Sequence, residues 1–259
     1  MKFMEAPPIK MNQRMVEVNF TFLLNNGGIA VSIGVLMLHG FSGGPYEMEP
    51  LTEYIKNNTD WIVETPTLCG HGEELSLKGF TAEHWLIDAE LAYKRLSEKV
   101  ENVYVVGFSM GGVIALYLAM CYPVKKLVLL SAAVKYIAPK QLIVELQKIA
   151  KEAVEGQLKN NELFKQYEYK LRSVPVSAAI QFMRIVRRVE PYIETIDIPT
   201  FIVQGKCDGI VPYSTAQYLY DKLPTTEKYI YFSSCGKHHI CFSEDCDTWF
   251  SDVLHFLKS

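Results

Sequence analysis

The chain of 259 residues lacks long hydrophobic runs, an excess of charge of one sign, and any close cysteine pairing. Each absence excludes a class of protein. The longest apolar stretches, "IGVLML" and "GVIALYLAMCY", fall short of the roughly 18–20 residues that span a bilayer. The opening "MKFMEAPPIKMNQRM" has no apolar core of the kind a secretory signal needs. Lys and Arg number 26 against 29 Asp and Glu, for a net charge of −3, so a broad nucleic-acid surface, which is normally basic, is not expected. The six cysteines, Cys69, Cys121, Cys207, Cys235, Cys241 and Cys246, include no CxxC pair and read as mostly free thiols. Neither G-x-G-x-x-G nor G-x-x-x-x-G-K-[ST] occurs, which removes the usual phosphate-binding loops. Internal repeats and low-complexity tracts are missing as well. A cytoplasmic protein without a transmembrane segment fits these absences.

What is present is a core-forming composition, 49% hydrophobic and 21% charged, in a chain short enough for one α/β domain. Short apolar runs recur at Phe20–Leu24, Ile33–Leu38, Trp61–Thr65, Val103–Gly107, Lys126–Leu130, Thr200–Gln204 and Tyr229–Phe232. Helical patterns separate most of them. Strands alternating with helices predict a parallel sheet covered on both faces, entered through a hairpin near Asn25–Gly28. The clearest helix follows the N-cap candidate Thr81, with Ala82, Trp85, Ala89, Ala92, Leu96 and Val100 on one stripe. Other helices are expected at Glu47–Lys56, Met110–Cys121, Ser214–Lys222 and Cys246–Leu257; His84 and His255 lie on helices and read as surface or packing residues. Between Ala133 and Ile196 strands vanish, and Pro139, Gly156 and Pro175 divide the stretch into about three helices. It reads as an insertion over the sheet, a cap at 133–196 on a core made of 1–132 and 197–259. A pair of long connecting helices is the other reading.

The chemistry concentrates in "VYVVGFSMGGVIALYLA", Val103–Ala119. A β-branched run gives way to a helical one, and Ser109 stands on the turn between Gly107 and Gly111. That is the G-x-S-x-G elbow, in which small flanking residues let strand and helix backbones approach. A serine hydroxyl needs a base, and the base needs an orienting group. Ligands of a parallel sheet bind at the carboxyl ends of its strands, so partners should stand just after strands. Asp208 is the first carboxylate after "TFIVQG", and His238 and His239 follow "KYIYFS". Asp197 precedes its strand, Asp221 reads as helical, and Asp245 remains a competitor. Adjacent residues of an extended loop face opposite ways, so one histidine of the pair, not both, can meet the serine. An oxyanion would need backbone N–H groups: Met110 at the helix start, and Phe41 in "VLMLHGFSGGP", where His39 reads as a loop-shaping residue. A zinc site at Cys235, His238, His239, Cys241 and Cys246 lacks the usual ligand spacing and would occupy the base.

Together "LMLHGF" at Leu36–Phe41, "GHG" at Gly70–Gly72, "GFSMGG" at Gly107–Gly112, "PTFIVQGKCDGIVP" at Pro199–Pro212 and "GKHHI" at Gly236–Ile240 resemble the α/β-hydrolase family. Within it the likeness is to small bacterial carboxylesterases and monoacylglycerol lipases with a compact helical cap. The resemblance implies the α/β-hydrolase fold, and it favours His238 as the base, with Lys237 standing where those proteins carry glycine. It further implies an acyl-serine mechanism with Ser109, His238 and Asp208 as triad and the Phe41 and Met110 amides as oxyanion hole. No cofactor and no metal are required. The implied partner is a small-molecule ester with a short- to medium-length acyl chain, or a monoacylglycerol; an exposed apolar cap would also suit a homodimer or a membrane surface. The same elbow serves attack on an amide, a C–C bond or a peracid, and a non-catalytic binding homologue could keep the pocket.

Overall fold

A computed structural model describes residues 32–135 and 174–259, and in it the short apolar runs become six strands of one sheet. They are β1 (Ile33–Leu38), β2 (Ile62–Glu64), β3 (Asn102–Phe108), β4 (Lys126–Leu130), β5 (Thr200–Gly205) and β6 (Lys228–Ser233). The strand expected at Phe20–Leu24, the hairpin near Asn25–Gly28, and the cap positions from 136 to 173 lie outside the described residues. Every neighbouring pair runs parallel, in the order β2-β1-β3-β4-β5-β6.

A strand turns successive side chains to opposite faces, and here both faces are buried. Leu36, Leu38, Val103, Val105, Leu127 and Leu129 join one apolar cluster. Val35, Met37, Tyr104, Val106, Val128 and Leu130 join the other. That explains why the strands read as continuous apolar runs without polar alternation. The first cluster is closed by α2 (Ala82–Ser97), α3 (Met110–Cys121), α4 (Val176–Val189) and α5 (Ser214–Lys222). The second is closed by α1 (Glu49–Asn58) and α6 (Cys246–Lys258) through Leu51, Ile55, Trp249 and Phe250. The whole apolar stripe expected on α2 is buried. His84 is exposed but does more than decorate that helix: the Thr81 backbone N–H donates to its Nδ1 at 3.1 Å, closing the helix start as a capping box.

One helix begins later than its sequence pattern suggests. Glu47 was expected inside the helix Glu47–Lys56, yet Pro45–Met48 forms a 3₁₀ turn and α1 starts at Glu49. Two prolines cause this. Pro45 opens the first turn and Pro50 sits in the first turn of α1, where its missing N–H costs nothing. Glu47 is thereby left on the turn, with its side chain buried.

The chain leaves β1 for the edge strand β2 and then returns to place β3 on the other side of β1. This reversal of direction opens a crevice at the carboxyl ends of β1 and β3. Their register puts Leu38 opposite Gly107, so the loops that follow start side by side. Ser109 takes up the turn with φ 52° and ψ −113°, a conformation that costs a non-glycine residue about 1–3 kcal/mol. Its backbone N–H donates to the Leu130 carbonyl at 2.9 Å. A methyl group on Gly107 would lie 2.3 Å from the Gly111 oxygen, and one on Gly111 would lie 2.0 Å from the Leu38 oxygen. These obstacles are backbone and cannot swing aside. Gly111→Ala is therefore expected to lower unfolding free energy by about 3 kcal/mol, measured by denaturant titration. A loss below about 1 kcal/mol would mean the approach is looser than described.

Candidate active site

Three side chains from three strand-end loops meet at this edge. Ser109 stands between β3 and α3, Asp208 follows β5, and His238 follows β6. The His238 ring bridges the other two, with Nε2 3.1 Å from Ser109 Oγ and Nδ1 2.9 Å from Asp208 Oδ2. The carboxylate can only accept, so Nδ1 carries the proton and Nε2 is left to accept from the serine hydroxyl. Ser109 and His238 are both buried. His239 does not face the opposite way, since both rings pack against Phe108; it is engaged by another group, its Nε2 lying 3.3 Å from Glu47 Oε1. The competing carboxylates are engaged elsewhere: Asp245 accepts from Ser233 Oγ and Tyr231 Oη, and Asp221 from Gln217 Nε2.

Asp208 is held from several sides. Its Oδ1 accepts the Ile210 and Val211 N–H groups at 2.8 and 2.9 Å, and its Oδ2 accepts Gln204 Nε2 at 2.9 Å. Burial alone would raise its pKa, but the positive charge available on His238, the hydrogen bond to that ring and the two amides outweigh burial and hold it below the ordinary range. Asp208 thus stays ionised, as a group orienting an imidazole must.

The loop after β1 is fixed just as firmly. His39 is fully buried; its Nδ1–H donates to the Gly40 carbonyl at 2.9 Å and its Nε2 accepts the Leu68 N–H at 3.0 Å. Both nitrogens are spent on loop backbone, the shape-holding part that its position suggested. Phe41 follows. Its ring stacks on Phe182 of α4 at 5.6 Å and meets Trp85 and His71 edge-on at 5.9 and 6.2 Å. Met110 is the first residue of α3, so its N–H has no acceptor within the helix. The Gly111 contact with Leu38 sets this helix start against the beginning of the Phe41 loop.

A model of the serine aminopeptidase S33 family (Hydrolase_4) matches residues 33–245. The chain belongs to that family. It is an α/β-hydrolase, and its relatives include a thermostable monoacylglycerol lipase of Bacillus sp. (strain H-257), 30% identical over 76% of this chain and 79% of the relative. A carboxylesterase of Bacillus subtilis (strain 168) is 26% identical over 86% of this chain and 92% of its own length. Among solved structures, one from a report on the metagenome-derived lipolytic enzymes LipS and LipT superposes with a TM-score of 0.70 at 22% identity, covering 88% of this chain and 94% of that one. Among the described residues no helix is long and apolar enough to cross a membrane, and all six cysteines are free thiols.

Two polar residues at the site of this S33-family hydrolase escaped the sequence pattern. Gln204 is a buried amide at the end of β5 that grips Asp208 and also donates to the Val211 carbonyl at 3.1 Å. Its signal was an amide side chain closing the apolar run "FIV" in the strand "TFIVQG". Glu47 is the other, hidden by the late start of α1.

His71 also belongs to this surrounding shell. Its Nδ1–H donates to the Cys69 carbonyl at 3.1 Å, while Nε2 has no hydrogen-bond partner among the described residues. Burial, with a further push from nearby His39 and partial opposition from the Cys69 and Leu68 carbonyls, takes His71 down to about 3. His39 is also lowered, by burial first, against the pull of Glu47 and the Gly40 carbonyl. Both rings are neutral in the folded chain but bind protons below about 6.5 once unfolded. Proton uptake by the unfolded state therefore drains stability as pH falls below about 6.5, for His71 down to about 3, by at most about 1.4 kcal/mol per pH unit for each histidine. Denaturant titrations between pH 6 and pH 5 should show this slope, and His71→Asn should remove about one proton from it. An unchanged slope in the variant would mean that His71 titrates normally when folded.

Proposed function

We propose that this hydrolase cleaves carboxylic esters with an apolar acyl chain, through an acyl-serine intermediate on Ser109. The observation that carries the reading is the His238 ring lying within hydrogen-bond reach of Ser109 Oγ on one side and Asp208 on the other. As the ester carbonyl carbon is attacked by Oγ, the serine proton passes to His238 Nε2. Asp208, already ionised, stabilises the imidazolium and keeps Nδ1 as the donor. The carbonyl electrons move onto oxygen, and the Phe41 and Met110 amides receive that oxyanion. Collapse expels the alcohol, which takes the proton from His238. Water then repeats the sequence against the acyl-serine, releasing the carboxylic acid and restoring the hydroxyl. No step needs a cofactor.

For the acyl chain, the reading rests on the buried aromatic cluster of Phe41, Trp85 and Phe182 that packs together beside the loop proposed to hold the oxyanion. Residues 133–196 are proposed as the cap over it, and α4 lies in its described part. Similarity to both a monoacylglycerol lipase and a carboxylesterase supports esters as the substrate class, with monoacylglycerols and simple alkyl or aryl esters as the two forms to separate.

The test is turnover of p-nitrophenyl esters of increasing acyl length and of monoacylglycerols. Ser109→Ala should lower kcat roughly 10⁵- to 10⁶-fold, and Asp208→Asn about 10⁴-fold, by letting the ring adopt the wrong tautomer. Ester turnover that survives Ser109→Ala refutes the nucleophile assignment. Covalent labelling of Ser109 by a fluorophosphonate in a protein that turns over no ester would move the substrate to another electrophile.

A further inference from the structure

Glu47 is a carboxylate in a place where carboxylates are costly. Its side chain is 2% exposed, and a buried ion is tolerated only when its partners are well placed. Both oxygens have them. Oε2 accepts the Gly40 N–H at 2.9 Å, and Oε1 lies 3.3 Å from His239 Nε2. The loop is moulded around this group: a methyl on Gly43 would fall 1.9 Å from Oε2. The two partners belong to different parts of the site. Gly40 begins the loop that carries the Phe41 amide, and His239 adjoins His238 in sequence, with the two rings 5.9 Å apart.

The peptides of that loop are pinned in succession. Glu47 holds the N–H of the peptide between His39 and Gly40. His39 Nδ1 holds the carbonyl of the next one, whose N–H is that of Phe41. Ser42 Oγ donates to the Phe41 carbonyl at 2.5 Å, with Ser42 itself at φ 63°. Since a peptide is planar, holding the Gly40 carbonyl fixes the direction of the Phe41 N–H. Holding the Gly40 N–H fixes the plane before it. We propose that Glu47, tied to His239, is the positioning residue of the oxyanion loop, setting it in register with the loop that carries His238. This rests on the ester-hydrolase reading, in which the Phe41 amide receives the oxyanion.

An oxyanion donor acts in the transition state and much less on the bound ester. Glu47→Ala is expected to lower kcat roughly 10- to 100-fold with KM changed less than about 3-fold. Affinity for an alkyl trifluoromethyl ketone, which forms a tetrahedral oxyanion adduct on serine, should fall by a similar factor. Glu47→Gln keeps an acceptor for Gly40 and a polar group for His239, and should return kcat to within about 5-fold of the parent. Should Glu47→Ala fail to fold in a circular-dichroism melt, His239→Leu, which cuts the link from the other side, should show the same split between kcat and KM. Glu47→Ala or His239→Leu matching the parent in both kcat and ketone affinity overturns the proposal, and so does Glu47→Gln being as impaired as Glu47→Ala. A parent protein that neither turns over esters nor binds the ketone overturns the ester-hydrolase reading itself, and the proposal with it.

Discussion

At the carboxyl edge of the sheet the first turn of α3 lies so close to the end of β1 that a methyl on Gly111 would stand 2.0 Å from the Leu38 carbonyl oxygen. Neither the serine turn nor the start of the loop after β1 can be placed independently of that approach. It requires glycine on both sides of the turn, and it drives Ser109 to a positive φ that lifts its hydroxyl above the sheet. It also brings the start of α3 against the start of the loop after β1. The strain at Ser109 is therefore the consequence of packing that the parallel register of β1 and β3 supports along its whole length. A serine on a free loop would relax; here the sheet does not allow it.

Around this approach the fold buries several polar side chains: His39, Glu47, His71, Gln204, Ser109 and His238 are all buried. Such a cluster destabilises a domain unless its members satisfy one another. Most of the partners prove to be backbone. Asp208 takes two amides, Glu47 takes one, and His39 takes an amide and gives to a carbonyl. The polar side chains and the loops thus specify each other: remove either and buried groups are left unpaired. Rigid loops are what a preorganised oxyanion site needs, because donors that must first rotate into place stabilise charge less.

Legibility in the sequence followed the range of the forces involved. Ile33–Leu38, Lys126–Leu130, Met110–Cys121 and Ser214–Lys222 have the bounds that their patterns predict, because apolar periodicity acts over neighbouring residues. The meeting of Ser109, Asp208 and His238 was also accessible, since a parallel sheet sends all its strand ends to one edge and the candidates there were few. The choice of His238 over His239 needed the family likeness, because alternation says that the two diverge but not which one faces the serine. Glu47 and Gln204 were out of reach for another reason. Each acts through contacts across loops, and neither has a local pattern that separates it from an ordinary surface polar residue. Pro45 and Pro50 were the one available hint that Glu47 would not be helical.

Phe41 links the two sides of the proposed reaction. Its amide is the proposed oxyanion donor, while its ring stacks on Phe182 of α4 and packs edge-on against Trp85 of α2. A side chain so enclosed cannot rotate without disturbing the peptide that carries its own N–H. The aromatic cluster and the amide proposed to hold the oxyanion thus share one rigid residue. Under the proposed reaction, an acyl chain that reached that cluster would press on the residue proposed to receive the charge, so chain length would register in kcat as well as in KM. Under the proposed reaction, substrate choice would be coupled to the chemical step through the same backbone that the glycine approach at α3 and the Glu47 carboxylate hold in place.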